Sequence, residues 1–234
     1  MDLRKVKKIR QRDKDIVYGY IKIAQLLFRD APDNPYYIIN QLIQDLCLLY
    51  FHLFIESKIL SDNEIDSFMK LLRDNDKPEF DHYEYKLIYR SSRDGLGKLI
   101  CENKVYGKKN ILMIVESEGN NVCGGYTLTG WETGKKLNYS TTKDSKAFLY
   151  NIRSSKGYKP CISNVKDDCI DSALAYYDLC YCSFGDGYVL NIWNNGRIYN
   201  NVPASYHAFP ENSKQLLGGN HGETIKELEI YQLT

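Results

Sequence analysis

The feature that most constrains the fold is the residue pattern from position 83 to the end of the chain. Short apolar or alternating runs follow one another there, separated by clusters of Gly, Asn, Asp and Ser. Strand side chains point alternately to the two faces of a sheet, and turn residues let the chain reverse between neighbouring strands. The pattern therefore predicts an antiparallel sheet or β-sandwich. Its strands are expected at residues 85–89, 110–116, 187–193 and 228–233.

Two segments of the same region have a helical pattern instead. Ser61 and Glu64 have the spacing of a capping box, in which each side chain accepts a hydrogen bond from the other residue's backbone N–H. The apolar residues that follow recur at helical spacing and need a sheet or helix to cover them. These residues are Ile65, Phe68, Met69 and Leu72. A second helix is predicted at residues 167–177, with Ile170, Leu174 and Tyr177 on one face.

The first 56 residues are helical in pattern, not strand-like. Apolar residues recur at helical spacing within 15–28, and a proline-containing break at 31–35 separates them from an apolar stretch at 36–55. Polar residues such as Asn40 and Asp45 interrupt that stretch, and they would cost free energy in a membrane. We therefore expect an α+β chain with a small helical module at 1–56 and a second domain at 57–234.

Charge restricts the classes of partner. Lys and Arg total 31 against 30 Asp and Glu, so the net charge is +1 and the whole chain is not built to bind a polyanion. The basic tract at residues 4–14 could attract an anionic membrane surface, but it has no aromatic residues on which bases could stack. No uninterrupted apolar h-region of a signal peptide follows these basic residues, and polar residues interrupt the apolar stretch at 36–55. We therefore predict no secretory leader, no transmembrane segment and a cytoplasmic location.

The residues that could carry chemistry do not form a recognised catalytic set. The seven cysteines are irregularly spaced, and the close pair Cys180 and Cys182 is separated by one residue, not by the two to four typical of zinc sites. A G-x-S-x-G nucleophile elbow and a P-loop lysine are both absent. Glu116, Glu227 and Glu229 lie in predicted strands, where a solvated face is expected. We predict free thiols, no metal, no cofactor and no enzymatic activity.

Six short motifs occur in a fixed order through the last two thirds of the chain. They lie at residues 89–95, 115–127, 147–152, 184–192, 216–219 and 226–233. Together they resemble the TLDc domain of the oxidation-resistance protein family. The family's Tyr-Arg-x-Ser-Arg-Asp-Gly turn is matched by Tyr89, Arg90, Ser92, Arg93, Asp94 and Gly95. Its Phe-Gly-Gly-Tyr-Thr motif is present as Cys123, Gly124, Gly125, Tyr126 and Thr127, with cysteine replacing phenylalanine.

The resemblance implies a TLDc-like antiparallel β-sandwich with flanking helices, acting as a non-enzymatic module that binds proteins. The best-understood members dock on the vacuolar-type proton pump, promote or limit its assembly, and so affect stress tolerance. We therefore expect pump subunits as partners, with no small-molecule substrate and no nucleic acid. The expected site is a polar cluster that either contacts the partner or holds the ends of the sandwich together. It comprises Arg90, Ser92, Arg93, Asp94 and Glu229, with the motif glycines Gly95, Gly124 and Gly125.

Two other functions remain open at this stage. A thiol-based antioxidant would need a cysteine whose pKa is lowered by a nearby cation or helix N-terminus. Cys101 matches a position where the family often has cysteine, but the adjacent Glu102 would oppose thiolate formation. An anionic-surface binder would act through the basic tract at residues 4–14 and would lose binding as salt is raised.

Overall fold

The structure is a computed structural model that describes residues 57–132, 139–186, 189–200, 205–208 and 222–234. The predicted helical module at 1–56, its basic tract at 4–14 and the motif at 216–219 lie outside the described residues. In the described ranges, every helix is too short or too polar to cross a membrane.

Helices and strands do not alternate regularly along the chain. Most described helices lie before residue 111, whereas strands occur from Tyr85 to Leu233. The helices are α1 (Asp62–Asp74), α2 (Ser91–Asp94) and α3 (Lys98–Val105), with 3-10 helices at Pro78–His82 and Asp167–Ser172. The strands are β1 (Tyr85–Arg90), β2 (Ile111–Ser117), β3 (Val122–Thr127), β4 (Tyr139–Thr142), β5 (Phe148–Arg153), β6 (Cys161–Asn164), β7 (Leu174–Tyr177), β8 (Cys180–Phe184), β9 (Leu190–Trp193), β10 (Arg197–Asn200) and β11 (Glu223–Leu233).

All described strand pairs are antiparallel, in the order β4-β7-β8-β9-β10-β11-β2-β3-β5-β6, with β1 also paired to β11. The long strand β11 joins the two halves of this arrangement. Glu223 and Thr224 at its start pair with β10, whereas its remainder pairs with β2 and β1. The last strand of the chain therefore holds both halves of the sheet.

The two halves face each other across one apolar core. Met113 and Leu149 from one half share this core with Leu190 and Ile192 from the other. The Trp131 indole N–H donates to the carbonyl oxygen of Ser183 on β8 at 3.0 Å, which fixes that side chain between the layers. The α+β, β-sandwich-like architecture predicted from the sequence is confirmed.

Helix α1 covers the outer face of the sheet at β5. Its capping box is present, since the Glu64 carboxylate accepts the Ser61 backbone N–H at 2.9 Å. The predicted apolar face is buried, and the Phe68 ring lies 4.5 Å from the Tyr150 ring on β5. The helix and its start, both predicted from the sequence, are confirmed.

The prediction of a helix at residues 167–177 was wrong over its second half. A 3-10 helix spans Asp167–Ser172, and the chain then continues as strand β7. Leu174 pairs with Thr142 on β4 and with Phe184 on β8. Pairing to two neighbouring strands outweighs the local helical spacing, and the tyrosine-rich sequence suits a strand.

The motif glycines Gly124 and Gly125 lie on β3 in the core, apart from the polar cluster predicted with them. The Tyr150 side chain crosses β3 at Gly124, where its hydroxyl donates to the Met113 carbonyl oxygen at 2.7 Å. A Cβ at Gly124 would lie 1.9 Å from that carbonyl oxygen and 2.5 Å from the Tyr150 hydroxyl. A Cβ at Gly125 would lie 2.6 Å from the Phe184 ring of the facing half. Both positions need glycine because of close packing.

Candidate functional site

The polar turn forms where β1 ends. Helix α2 makes a single turn, and the Gly95 N–H closes it by donating to the Ser91 carbonyl oxygen at 2.9 Å. Gly95 has φ +94°, a conformation that glycine adopts without steric cost. The Asp94 carboxylate accepts the backbone N–H of Arg90 at 2.9 Å, so the acid of the motif stabilises the turn that carries it.

Asp94 is surrounded by cations. Arg93 approaches its carboxylate with Nη2 at 2.7 Å and Nε at 3.0 Å, and the Lys104 Nζ from α3 lies 3.2 Å away. The hydrogen bond from Arg93 is the main cause of a lowered Asp94 pKa, and the Arg90 N–H and Lys104 add to it. Asp94 therefore stays ionised and links α2 to α3.

Glu229 is the fully buried centre of the cluster. Its carboxylate pairs with the Arg90 Nε at 2.8 Å, and both side chains are nearly or wholly out of solvent. It also accepts the Ser57 hydroxyl at 2.7 Å, the Lys58 backbone N–H at 2.8 Å and the Tyr231 hydroxyl at 3.0 Å. A buried ion pair is tolerated only when further hydrogen bonds satisfy its remaining atoms, and this carboxylate meets that condition.

Glu227, two residues earlier on β11, holds the start of α2. Its carboxylate accepts the Ser91 hydroxyl and the Ser92 backbone N–H, the latter at 3.0 Å. The Ser91 oxygen in turn accepts the Leu228 N–H at 2.9 Å. Burial opposes ionisation of Glu227, but these hydrogen bonds outweigh it and lower the pKa of the carboxyl.

The prediction that the strand glutamates lie on a solvated face was wrong. Glu116, Glu227 and Glu229 are all buried. Helix α2 lies against Glu227, and Arg90 and Ser57 contact Glu229. Glu116 has its own cations: the Lys226 Nζ at 3.2 Å and Arg153 at 3.4 Å. Each carboxylate is thus held by its own donors.

The structure brings four of the predicted residues, Arg90, Ser92, Arg93 and Asp94, to one turn against Glu229. Arg90 and Glu229 lie inside, whereas Ser92 and Arg93 are exposed. The cluster expected from the sequence lacked five residues that hold this turn: Ser57, Ser91, Lys104, Glu227 and Tyr231. Glu227 could have been found, since residues two apart on a strand share a face. Ser57 carries no such signal, because 172 residues separate it from Glu229.

The described cysteines are free, and two of them meet in the core. The Cys101 sulfur on α3 lies 3.6 Å from the Cys182 sulfur on β8, and both side chains are fully buried. Burial raises the pKa of the Cys182 thiol, and the contact with Cys101 raises it further. Burial likewise raises the pKa of Cys123. In the described part of the chain, no group of three or more His, Cys, Asp or Glu residues is placed to hold a metal.

Replacing Asp94 by asparagine is expected to weaken the dependence of stability on acid pH. Folding lowers the Asp94 pKa below its unfolded value of about 3.9, so its contribution is complete above that pH and is lost as pH falls below it. We expect the urea midpoint of the unmodified chain to fall more steeply between about pH 5 and about pH 2 than that of Asp94→Asn. Asp171→Asn is the control, because that carboxylate is 85% exposed. Equal slopes for the unmodified chain and Asp94→Asn would contradict the prediction.

Comparison with known proteins identifies the family of the chain. A comparison with curated proteins found no match to the chain. A family model described as the TLDc domain matches residues 53–234, a range that includes every described helix and strand and the whole polar cluster. The chain therefore belongs to the TLDc domain family.

Proposed function

We propose that this protein is a non-enzymatic module that binds other proteins, with subunits of the vacuolar-type proton pump as its partner. The observation that carries the proposal is the family match over residues 53–234. Arg90, Glu227 and Glu229 hold β1, α2 and β11 together inside the domain, so the proposed contact is sought on the exposed surface. Through pump assembly the protein would affect tolerance to oxidative stress.

An exposed apolar surface gives this proposal a place to be tested. Leu99 is 75% exposed and Leu179 is 57% exposed, and Leu96 and Ile100 are also exposed. Large apolar side chains gathered on one surface are typical of protein contact sites, whereas single ones are ordinary. The question is therefore whether these residues lie together.

Three contacts bring them together. The Lys98 Nζ at the start of α3 donates to the carbonyl oxygens of Tyr177 and Asp178, at 3.1 and 2.9 Å, next to Leu179. The Leu179 carbonyl oxygen accepts the Asn194 N–H at 2.9 Å. A Cβ at Gly196, in the same turn as Asn194, would lie 2.7 Å from the Leu96 side chain. The start of α3 and the two turns β7–β8 and β9–β10 thus form one apolar surface.

The tagged chain is expected to retain proton-pump subunits from a lysate of the cells that produce it. Leu99→Ser combined with Leu179→Ser should lower this retention at least about tenfold, because each leucine buried in a contact contributes about 1.5 kcal/mol or more. Quantitative mass spectrometry of the retained subunits measures the effect. Leu128→Ser is the matched control, since Leu128 is also exposed but lies at the end of β3.

The outcomes separate the two parts of the proposal. Both the partner and the surface are supported if the unmodified chain and the Leu128 control retain pump subunits and the double variant does not. Equal retention by all three chains would reject the apolar surface as the contact. If the unmodified chain retains no pump subunits, the pump proposal is wrong.

The closeness of Cys101 and Cys182 is the observation that favours the thiol antioxidant, but their burial opposes it. We expect alkylation of these two cysteines to be at least about tenfold slower in the folded protein than in urea, because the thiolate is the reactive species and access is blocked. Peptide mapping by mass spectrometry measures each site, and the partly exposed Cys169 serves as the internal comparison. Rapid oxidation of either buried thiol by peroxide would instead favour the antioxidant function.

A further inference from the structure

A groove runs between strand β1 and the C-terminal end of α3. Its volume is about 520 Å³, and α2 forms its third side. Four cations line it: Lys86 on β1, Arg93 on α2, Lys104 on α3, and Lys108 just after α3. Asp94 is the one acidic residue of the lining. The lining therefore carries four positive charges and one negative, a net +3, whereas the whole chain carries +1.

The negative charge in the groove is already neutralised. Asp94 accepts hydrogen bonds from Arg93 and lies within ion-pair distance of Lys104. Lys86 and Lys108, in contrast, have no ion pair and no side-chain hydrogen bond to any residue of the described part of the chain. The Arg93 side chain remains 45% exposed and that of Lys104 41% exposed in spite of their pairing. A ligand in the groove would thus meet an uncompensated positive field.

The chemistry of the other lining residues favours a protein chain over other anions. Leu87 and Ile88 are half-buried and line the β1 side of the groove. Ile88 also packs against the core, so only its exposed part is open to an apolar side chain of a ligand. The lining has no aromatic residue, so it lacks the stacking platform by which single-stranded nucleic acid is held. A concave groove receives an extended segment, whereas an amphipathic membrane contact lays an exposed apolar face onto the lipid.

We infer that this groove binds an acidic segment of a partner protein, with carboxylates facing Lys86, Arg93, Lys104 and Lys108 and apolar side chains against Leu87 and Ile88. The inference rests on the proposed function as a protein-binding module and adds a second surface, distinct in chemistry from the apolar one around Leu99. Several cations on one surface raise the association rate of an acidic partner. They also select against basic partners, because like charges repel.

The test uses the full chain and a fluorescein-labelled synthetic peptide of Glu, Asp, Leu and Ser residues, with fluorescence anisotropy as the readout. Lys86→Glu combined with Lys108→Glu should weaken binding about tenfold or more, because the two unpaired cations become repulsive. The matched control is Lys70→Glu with Lys159→Glu, which makes the same change in net charge at two exposed lysines outside the groove. All measurements are repeated with the basic positions of residues 4–14 changed to glutamine, since that tract could also attract the peptide.

The inference is supported if only the groove variant loses peptide binding in both backgrounds, and if binding weakens as salt rises from about 50 to about 200 mM. The inference is overturned if both double variants bind equally, if binding depends on the tract at 4–14 alone, or if the same peptide with Lys in place of the acids binds as well. It is also overturned if a single-stranded oligonucleotide or phosphatidylserine vesicles bind the groove in preference to the peptide. Retention of pump subunits by the groove variant is measured separately. It tests the proposed function independently of the inference about the groove.

Discussion

The Glu229→Gln variant is expected to lose about 3–5 kcal/mol of free energy of unfolding, because it removes one partner of a buried ion pair, the Glu229 carboxylate that faces Arg90. The new amide has the shape of the carboxylate but presents an N–H₂ group to donors. The Ser57 hydroxyl, the Lys58 N–H and the Tyr231 hydroxyl then compete for one remaining oxygen. Tryptophan fluorescence in urea measures the loss, since both tryptophans of the chain, Trp131 and Trp193, lie in this domain.

A double-mutant cycle shows whether the loss comes from the ion pair. Arg90→Met in the Glu229→Gln background removes the second charge of the buried pair, so the double variant should be more stable than the sum of the single losses predicts. Glu118→Gln, an exposed glutamate in the turn after β2, is the control and should stay within about 0.5 kcal/mol of the unmodified chain. A loss below about 1 kcal/mol for Glu229→Gln would place the pair in the range of exposed salt bridges and contradict its buried role.

The Gly124→Ala variant is expected to lose at least about 3 kcal/mol of free energy of unfolding, or to fail to accumulate as soluble protein. The added methyl group would lie 1.9 Å from the Met113 carbonyl oxygen, which is backbone and cannot rotate away. Strands β2 and β3 pair directly at this point, with Ile114 opposite Gly124, so relief requires them to separate. The same fluorescence measurement, with soluble yield, checks the result.

Two variants sharpen this prediction. Gly97→Ala is the matched control, because Gly97 has extended backbone with φ 171° and its Cβ would meet one atom, the Ile100 side chain, at 4.0 Å. It should lose no more than about 1 kcal/mol. Tyr150→Phe removes the hydroxyl 2.5 Å from the added Cβ but leaves the ring carbon Cζ at 2.7 Å and the Met113 carbonyl oxygen in place. Recovery of stability in Gly124→Ala with Tyr150→Phe would therefore show that the side chain, and not the backbone, was the obstacle.

The elements that the sequence predicted correctly are those whose signal is local. The start of α1 follows from Ser61 and Glu64, and its buried face follows from apolar spacing within 13 residues. Strand β1 and the end of β11 follow from alternating or apolar runs bounded by turn residues. The segment of β7 failed because its apolar spacing fits a helix, while its strand partners lie on β4 and β8 and are not visible locally.

The same division holds for the site. The contacts of Asp94 with Arg90 and Arg93 are local, because the acid and its donors lie within a few residues of one turn. The burial of Glu227 and Glu229 needed α2 and the segment at Ser57 to close over the end of β11. Their pattern on the strand is the one that a solvated edge would also show. Local spacing therefore could not distinguish a buried carboxylate from an exposed one.

Local sequence patterns predict the β-rich class, the capped helix α1, the turn at Arg90–Asp94 and the family to which the chain belongs. Which charges are buried, which cysteines meet and where four cations line a groove depend on how the chain folds. The physical reason is that backbone periodicity and capping act over a few residues, whereas burial and ion pairing depend on residues far apart in the chain. Glu229 illustrates this, since its partners Arg90 and Ser57 are 139 and 172 residues away.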